Sequence, residues 1–276
     1  MDTDGAIRHR TRAMGRPDMS IYTVPRGPGS RADALAAGSR PLALFGQAHF
    51  GQAHFGQALF GQGGYEPYAR SLPLGVGRLT LRPESAFPEP IGPVHFNMLG
   101  WTGPATASER ELLRTLRGPV LDVGCGPGRM LEAARELGLA SMGVDTSPAA
   151  VKLATERGGA AVLGSIFDPV PHERGWGSAL LLDGNIGIGG NIRMLLERVA
   201  SLLAPGGQVL AEAEAQDFLD VAYLAVLEDS DGRASAAFPW ARAGKKALVR
   251  HAARAGLKVV ATRIVQDRIF LTLERP

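Results

Sequence analysis

The chain of 276 residues is 45% hydrophobic and 21% charged, a balance that excludes a wholly disordered polypeptide. Its net charge of +3 and pI near 9.3 suggest a polyanion partner only until the charge is located. Residues 1–40 hold seven arginines against four aspartates, while 41–276 hold 23 basic and 23 acidic residues, so the body has no basic stripe for nucleic acid. Cys125 is the single cysteine, which excludes an intrachain disulfide. No apolar run approaches the roughly 18 residues of a membrane span, and the first 30 residues hold scattered arginines without an apolar core. The expectation is a cytoplasmic protein with neither a membrane nor a nucleic-acid partner.

Residues 1–62 read as a low-complexity, disordered extension. Four five-residue units, FGQAH, FGQAH, FGQAL and FGQGG, begin at Phe45, Phe50, Phe55 and Phe60. On a helix a five-residue period places successive phenylalanines about 140° apart, and on a strand they alternate faces, so neither element gains an apolar stripe. His49 and His54 on such a glycine-rich tract make a poor preformed metal site; no metal is expected.

Residues 63–104 read as a short β ribbon, with extended pieces at 77–82 and 93–99 separated by prolines. Ser108 with Glu111 forms a capping-box pattern opening a helix, and the main domain covers 105–276. Between 118 and 213 strand and helix patterns alternate. Strands are expected at 119–124, 141–145, 160–165, 177–184 and 206–214, with helices at 129–138, 147–159 and 191–207. Continuously apolar strands joined by helices predict a parallel sheet covered on both faces. Residues 218–242 interrupt this order, with LAVLE and ASAAF around Asp229–Gly232 reading as a hairpin, a candidate cover for a pocket. A helix at 243–257 then precedes two strands separated by Gln266-Asp267, too close for a crossover and therefore an antiparallel hairpin. The fold class is thus α/β, with a seven-stranded, mostly parallel sheet and a C-terminal antiparallel hairpin.

The chemistry concentrates in Asp122-Val-Gly124-Cys-Gly126-Pro-Gly128-Arg129, at the junction of the first of these strands and the following helix. Glycines there let the backbone turn tightly and approach a ligand, and the helix N-terminus favours negative charge. Asp145 ends the next strand, where a carboxylate can accept from both hydroxyls of a ribose. A dinucleotide fingerprint requires glycine at the sixth position of GxGxxG, which here is Arg129. A pyrophosphate leaves Asp122 unexplained, whereas a ligand ammonium near the loop explains it.

VLDVGCGPGR, GVDTSP and LLAPGG together resemble motifs of the class I S-adenosylmethionine (SAM)-dependent methyltransferases, over about 105–275, and the final hairpin resembles the one that separates this fold from dinucleotide-binding relatives. GWGSALLLDGNIGIGG and FPWARAGKKAL further resemble a group of actinobacterial-type methyltransferases. The resemblance implies a Rossmann-like sheet, SAM as cofactor, and an enzyme passing a methyl group to a small-molecule acceptor. It implies that Gly124, Cys125, Gly126 and Gly128 surround the methionine moiety, that Asp122 orients the loop or the amino group, and that Asp145 with Thr146 holds the ribose. Where many members carry an acid for the adenine amino group, this chain has Ser165 followed by Ile166, with Asp168 as an alternative.

On the acceptor side, Asp183 and Asn185 after the fourth of these strands are the candidate catalytic residues, Asp183 also lying beside the cofactor; Glu212 and Glu214 are further candidates. The competing reading of Asp183 and Asn185 is that they satisfy loop backbone groups. Cys125 reads as a small loop filler, and His95, His172 and His251 show no metal-ligand spacing. Trp101, Trp176 and Trp240 are either core residues or stacking partners for a ring. Rival functions are a SAM-binding protein without transfer activity and an NAD(P)-dependent oxidoreductase. A nucleic-acid methyltransferase is disfavoured, because Asp-Gly-Asn-Ile stands where an Asn-Pro-Pro-aromatic tetrapeptide would follow the strand.

Overall fold

A computed structural model describes residues 59–62, 66–85 and 91–276. His49 and His54 lie outside them. The first elements are a short helix α1 (Pro67–Ser71), strands β1 (Arg78–Pro83) and β2 (Val94–Asn97), and helices α2 (Met98–Thr102) and α3 (Ala107–Arg114). The capping box of α3 is Thr106–Glu109, not Ser108–Glu111: Thr106 Oγ1 accepts from Glu109 N–H, and the Glu109 carboxylate accepts from Thr106 N–H at 2.8 Å. Both patterns fit the local rule, and the choice is tertiary, because Glu109 is buried against Arg129 and Arg268.

The central elements follow as strand–helix units: β3 (Val120–Val123), α4 (Arg129–Glu136), β4 (Ser141–Asp145), α5 (Pro148–Glu156), β5 (Ala161–Leu163), β6 (Trp176–Leu181), α6 (Ile192–Leu202) and β7 (Leu203–Ala213). Helix starts match their sequence signals. Ser147 caps α5, with proline at the first turn, and the Asn191 side chain accepts from Met194 N–H to cap α6. All four β3 residues are buried, as a strand covered by helices on both faces requires.

After β7 come β8 (Asp220–Glu228), β9 (Phe238–Ala243), α7 (Lys245–Arg254), β10 (Lys258–Val265) and β11 (Arg268–Glu274). The main sheet has seven strands in the order β10-β11-β7-β6-β3-β4-β5. Pairings β3–β4, β4–β5, β3–β6 and β6–β7 are parallel, whereas β11 lies antiparallel to both β7 and β10. This is a Rossmann-like sheet closed by the expected C-terminal hairpin. Its core, including Leu121, Val123, Leu195, Leu196 and Leu271, is inaccessible to water.

A second sheet, β2-β1-β8-β9, is wholly antiparallel. The N-terminal ribbon and the 218–242 insertion therefore form one layer, with Thr80–Pro83 paired to Ala225–Glu228. The hairpin register also differs from the sequence reading. β8 pairs with Phe238–Ala243, so that of the ASAAF segment only Phe238 enters the strand, while Ala234 makes an isolated bridge to Glu228. Burial explains the shift, since Phe238 and Trp240 are 1% and 4% exposed and anchor β9 in an aromatic cluster. No helix among the described residues is long and apolar enough to cross a membrane.

Candidate active site

A cleft opens at the C-terminal ends of β3, β4, β5 and β6, where ligands bind in open α/β sheets. Its empty space, the open mouth included, is about 1250 Å3. Every residue expected to hold a cofactor lines it apart from Gly128, and so does Asn185.

The loop after β3 is held from three sides. Gly124 N–H donates to Val144 carbonyl at 2.8 Å, Gly126 N–H to Asp145 Oδ2 at 2.9 Å, and Asn185 Nδ2 to the carbonyls of Val123 and Gly124 at 2.8 and 2.9 Å. Gly128, at φ +83°, supplies the left-handed turn into α4, and a Cβ there would lie 2.7 Å from both Cα and Cβ of Ala154 on α5. A side chain is thus opposed by both conformation and space. Cys125 is buried beside Gly143, and burial, then the Asp122 and Asp145 charges, pushes its thiol far up, so it is no nucleophile at neutral pH.

Asp122 is 4% exposed and faces the cleft. Among the described residues no group donates a hydrogen bond to its carboxylate, and burial lifts its pKa from 3.8 to about 7 against the pull of Arg129. Asp145 differs: its oxygens accept from Gly126 N–H and from Ser147 N–H at 2.8 Å. Burial raises its pKa while these backbone donors oppose the rise. Ser165 Oγ accepts from Phe167 N–H, and Ile166 is buried against the cleft. Asp168 does not reach in; it is exposed, and its Oδ2 accepts from Ser165 N–H at 3.1 Å.

Asp183, at φ +54°, sits in an ion-pair network that local sequence patterns do not reveal. One oxygen pairs with Arg129 and the other with Arg268 at 2.8 Å, while its N–H donates to Glu212 at 2.7 Å. Arg268 also binds Glu212 and Glu109, and Arg129 closes the circuit on Glu109. At Glu109 burial opposes the charge, but Arg129, the Thr106 N–H and Arg268 outweigh it and pull the carboxyl down to about 2. The network ties α3, α4, β7 and the β10–β11 turn to one edge of the cleft. The one local hint was Arg129 itself, the residue that broke the dinucleotide pattern. Glu214, by contrast, pairs with Arg242.

The opposite wall is aromatic: Phe60, Tyr68, Trp101, Phe238 and Trp240 line it. Burial first, then the Asp145 charge, holds the Tyr68 hydroxyl well above its usual range. Trp176 instead lies in the core, its Nε1 donating to Pro171 carbonyl. The histidines stand elsewhere, His95 against Thr80, His172 beside Trp176 and His251 against Asp220.

Residues 120–207 match the family model described as a methyltransferase domain. A search of curated proteins returns no significant match. Among solved structures, a SAM-dependent methyltransferase from Bacteroides fragilis in complex with S-adenosyl-L-homocysteine (SAH) is 19% identical. That alignment covers 79% of this chain and 97% of the other, with a TM-score of 0.59. A 1,6-didemethyltoxoflavin N1-methyltransferase from Burkholderia thailandensis matches at 20% identity, over 63% of this chain and 80% of the other, with a TM-score of 0.47. The CcbJ methyltransferase from Streptomyces caelestis matches at 18%, over 64% and 92%, with a TM-score of 0.48.

Proposed function

We infer that this chain, whose residues 120–207 match a methyltransferase domain, is a class I, SAM-dependent enzyme that moves a methyl group from SAM to a small-molecule acceptor held in the same cleft. The observation that carries the reading is Asp122, a buried carboxylate facing the cleft with no hydrogen-bond donor among the described residues. Burying such a group without a partner costs free energy, and an ammonium beside it offsets that cost. SAM brings both an ammonium and a sulfonium, and the Bacteroides structure of the same fold holds SAH. A second pyrophosphate-type reading fits worse, since a carboxylate at that place repels phosphate.

We assign Asp122 to the ammonium, the Gly124–Gly128 loop to the methionine moiety, Asp145 and Thr146 to the ribose, and Ser165 with Ile166 to the adenine. SAM supplies an electrophilic methyl carbon: an acceptor lone pair forms the new bond and the carbon–sulfur pair returns to sulfur, leaving SAH. The protein's part is alignment and exclusion of water. Asn185 positions the loop through the Val123 and Gly124 carbonyls. Asp183, with both oxygens on guanidinium groups, we assign to holding Arg129 at the cleft edge in preference to removing a proton. A cleft with an aromatic wall favours a small acceptor over a polymer.

The test is calorimetric titration of the full chain with SAH and, separately, NADH. SAH should bind at one site per chain, with affinity reduced in Asp122→Asn and Asp145→Ala. Binding of NADH without SAH would overturn the reading.

A further inference from the structure

The cleft has two halves of different origin. The glycine loop, the acids and one lining ring, Phe167, come from within 120–207, whereas the other five aromatic lining residues lie outside it. Phe60 is the centre of that wall. Its ring centroid lies 5.1 Å from Trp240, 5.2 Å from Tyr68, 5.4 Å from Phe238 and 6.4 Å from Trp101. The contacts are edge-on or tilted, the geometries that ring quadrupoles favour.

Neighbouring residues set the position of Phe60. Gly61 adopts φ +63°, and a Cβ there would fall 2.6 Å from Tyr68 Cβ and 2.8 Å from Leu227 Cδ2. The Gln62 side chain donates to the Thr146 carbonyl at 2.8 Å, next to Asp145. All three residues of the Phe-Gly-Gln unit are therefore used: one ring, one close approach, one hydrogen bond. The unit straps the aromatic wall to the acidic half of the cleft. The same triplet recurs in the sequence at 45–47, 50–52 and 55–57, outside the described residues.

Resting on the cofactor assignment above, we propose that this cage of Phe60, Tyr68, Trp101, Phe238 and Trp240 is the acceptor subsite, and that it selects a flat aromatic ring. Ring faces and edges on several sides recognise a planar π-system, which a saturated ring of equal size cannot reproduce.

The experiment uses the full chain saturated with SAH and two probes of one size, 2-naphthol and decahydro-2-naphthol. The protein should bind 2-naphthol at least tenfold more tightly than its saturated counterpart, with quenching of tryptophan fluorescence. Phe60→Leu keeps an apolar side chain but removes the ring, and should reduce the preference over decahydro-2-naphthol to threefold or less; SAH binding by the same variant reports that it is folded. Equal binding of the two probes, no binding of 2-naphthol, or an unchanged preference in Phe60→Leu overturns the proposal. If SAH itself does not bind, the cofactor assignment fails instead, so the two failures are told apart.

Discussion

Replacing Asp122 by asparagine should stabilise the ligand-free protein at alkaline pH while weakening its hold on SAH. The carboxyl is lifted from 3.8 to about 7 by burial, which corresponds to about 4 kcal/mol between its two protonation states. Between those two pH values the folded chain keeps a proton that the unfolded chain has released. Stability therefore falls as pH rises from about 4 to 7 and is level above, where the full cost of the buried charge is present. Asparagine fills the same volume without a charge, so Asp122→Asn should lose this slope and gain up to about 4 kcal/mol at pH 8.5. Urea denaturation at pH 5, 7 and 8.5 measures both quantities. In the same variant SAH affinity should drop at pH 8.5, whereas wild-type affinity should decline as pH falls below 7 and Asp122 takes up its proton. Lower stability of the variant at pH 8.5, or an unchanged pH slope, would refute the reasoning.

Three further outcomes follow from named contacts. Glu109→Gln should cost about 3 kcal/mol of stability at neutral pH, the equivalent of holding that carboxyl at about 2 instead of 4.5. Because this pKa is depressed, the contribution is present above pH 4.5 and lost toward pH 2, so acid titration of wild type and variant should converge there. Asp145→Ala should weaken SAH binding by about 1–3 kcal/mol, the range for hydrogen bonds to a charged group; unchanged affinity by calorimetry removes the ribose assignment. Gly128→Ala, forced to φ +83° against Ala154, should lower stability by about 1–3 kcal/mol in a thermal melt, and an unchanged Tm contradicts the close α4–α5 contact.

The parallel sheet was legible because its strands are short apolar runs and β3, β4 and β6 are each followed by a helix with its own local signal, and both are neighbourhood properties. The glycine loop and Asp145 were legible for the same reason, their spacing fixing them at adjacent strand ends. What stayed hidden depends on long-range pairing. β1 and β8 each read as a strand, but nothing local says that Thr80 meets Glu228 across the chain. The partners of Asp183, at positions 129 and 268, are equally distant in sequence, so its loop suggested a free carboxylate. Phe60 carried a signal of its own, the Phe-Gly-Gln repeat, but a five-residue period belongs to no regular element and gave no hint of a packed ring. The competition between Thr106 and Ser108 to cap α3 was decided by Glu109, whose arginine partners come from elsewhere in the fold.

The most direct test of the cofactor assignment is a crystal structure of the full chain with SAH. The amino group should lie within hydrogen-bond reach of Asp122, the ribose hydroxyls at Asp145, and the sulfur facing the ring cage of Phe60 and Trp240. SAH bound with its ribose away from Asp145, or outside this cleft, would contradict it.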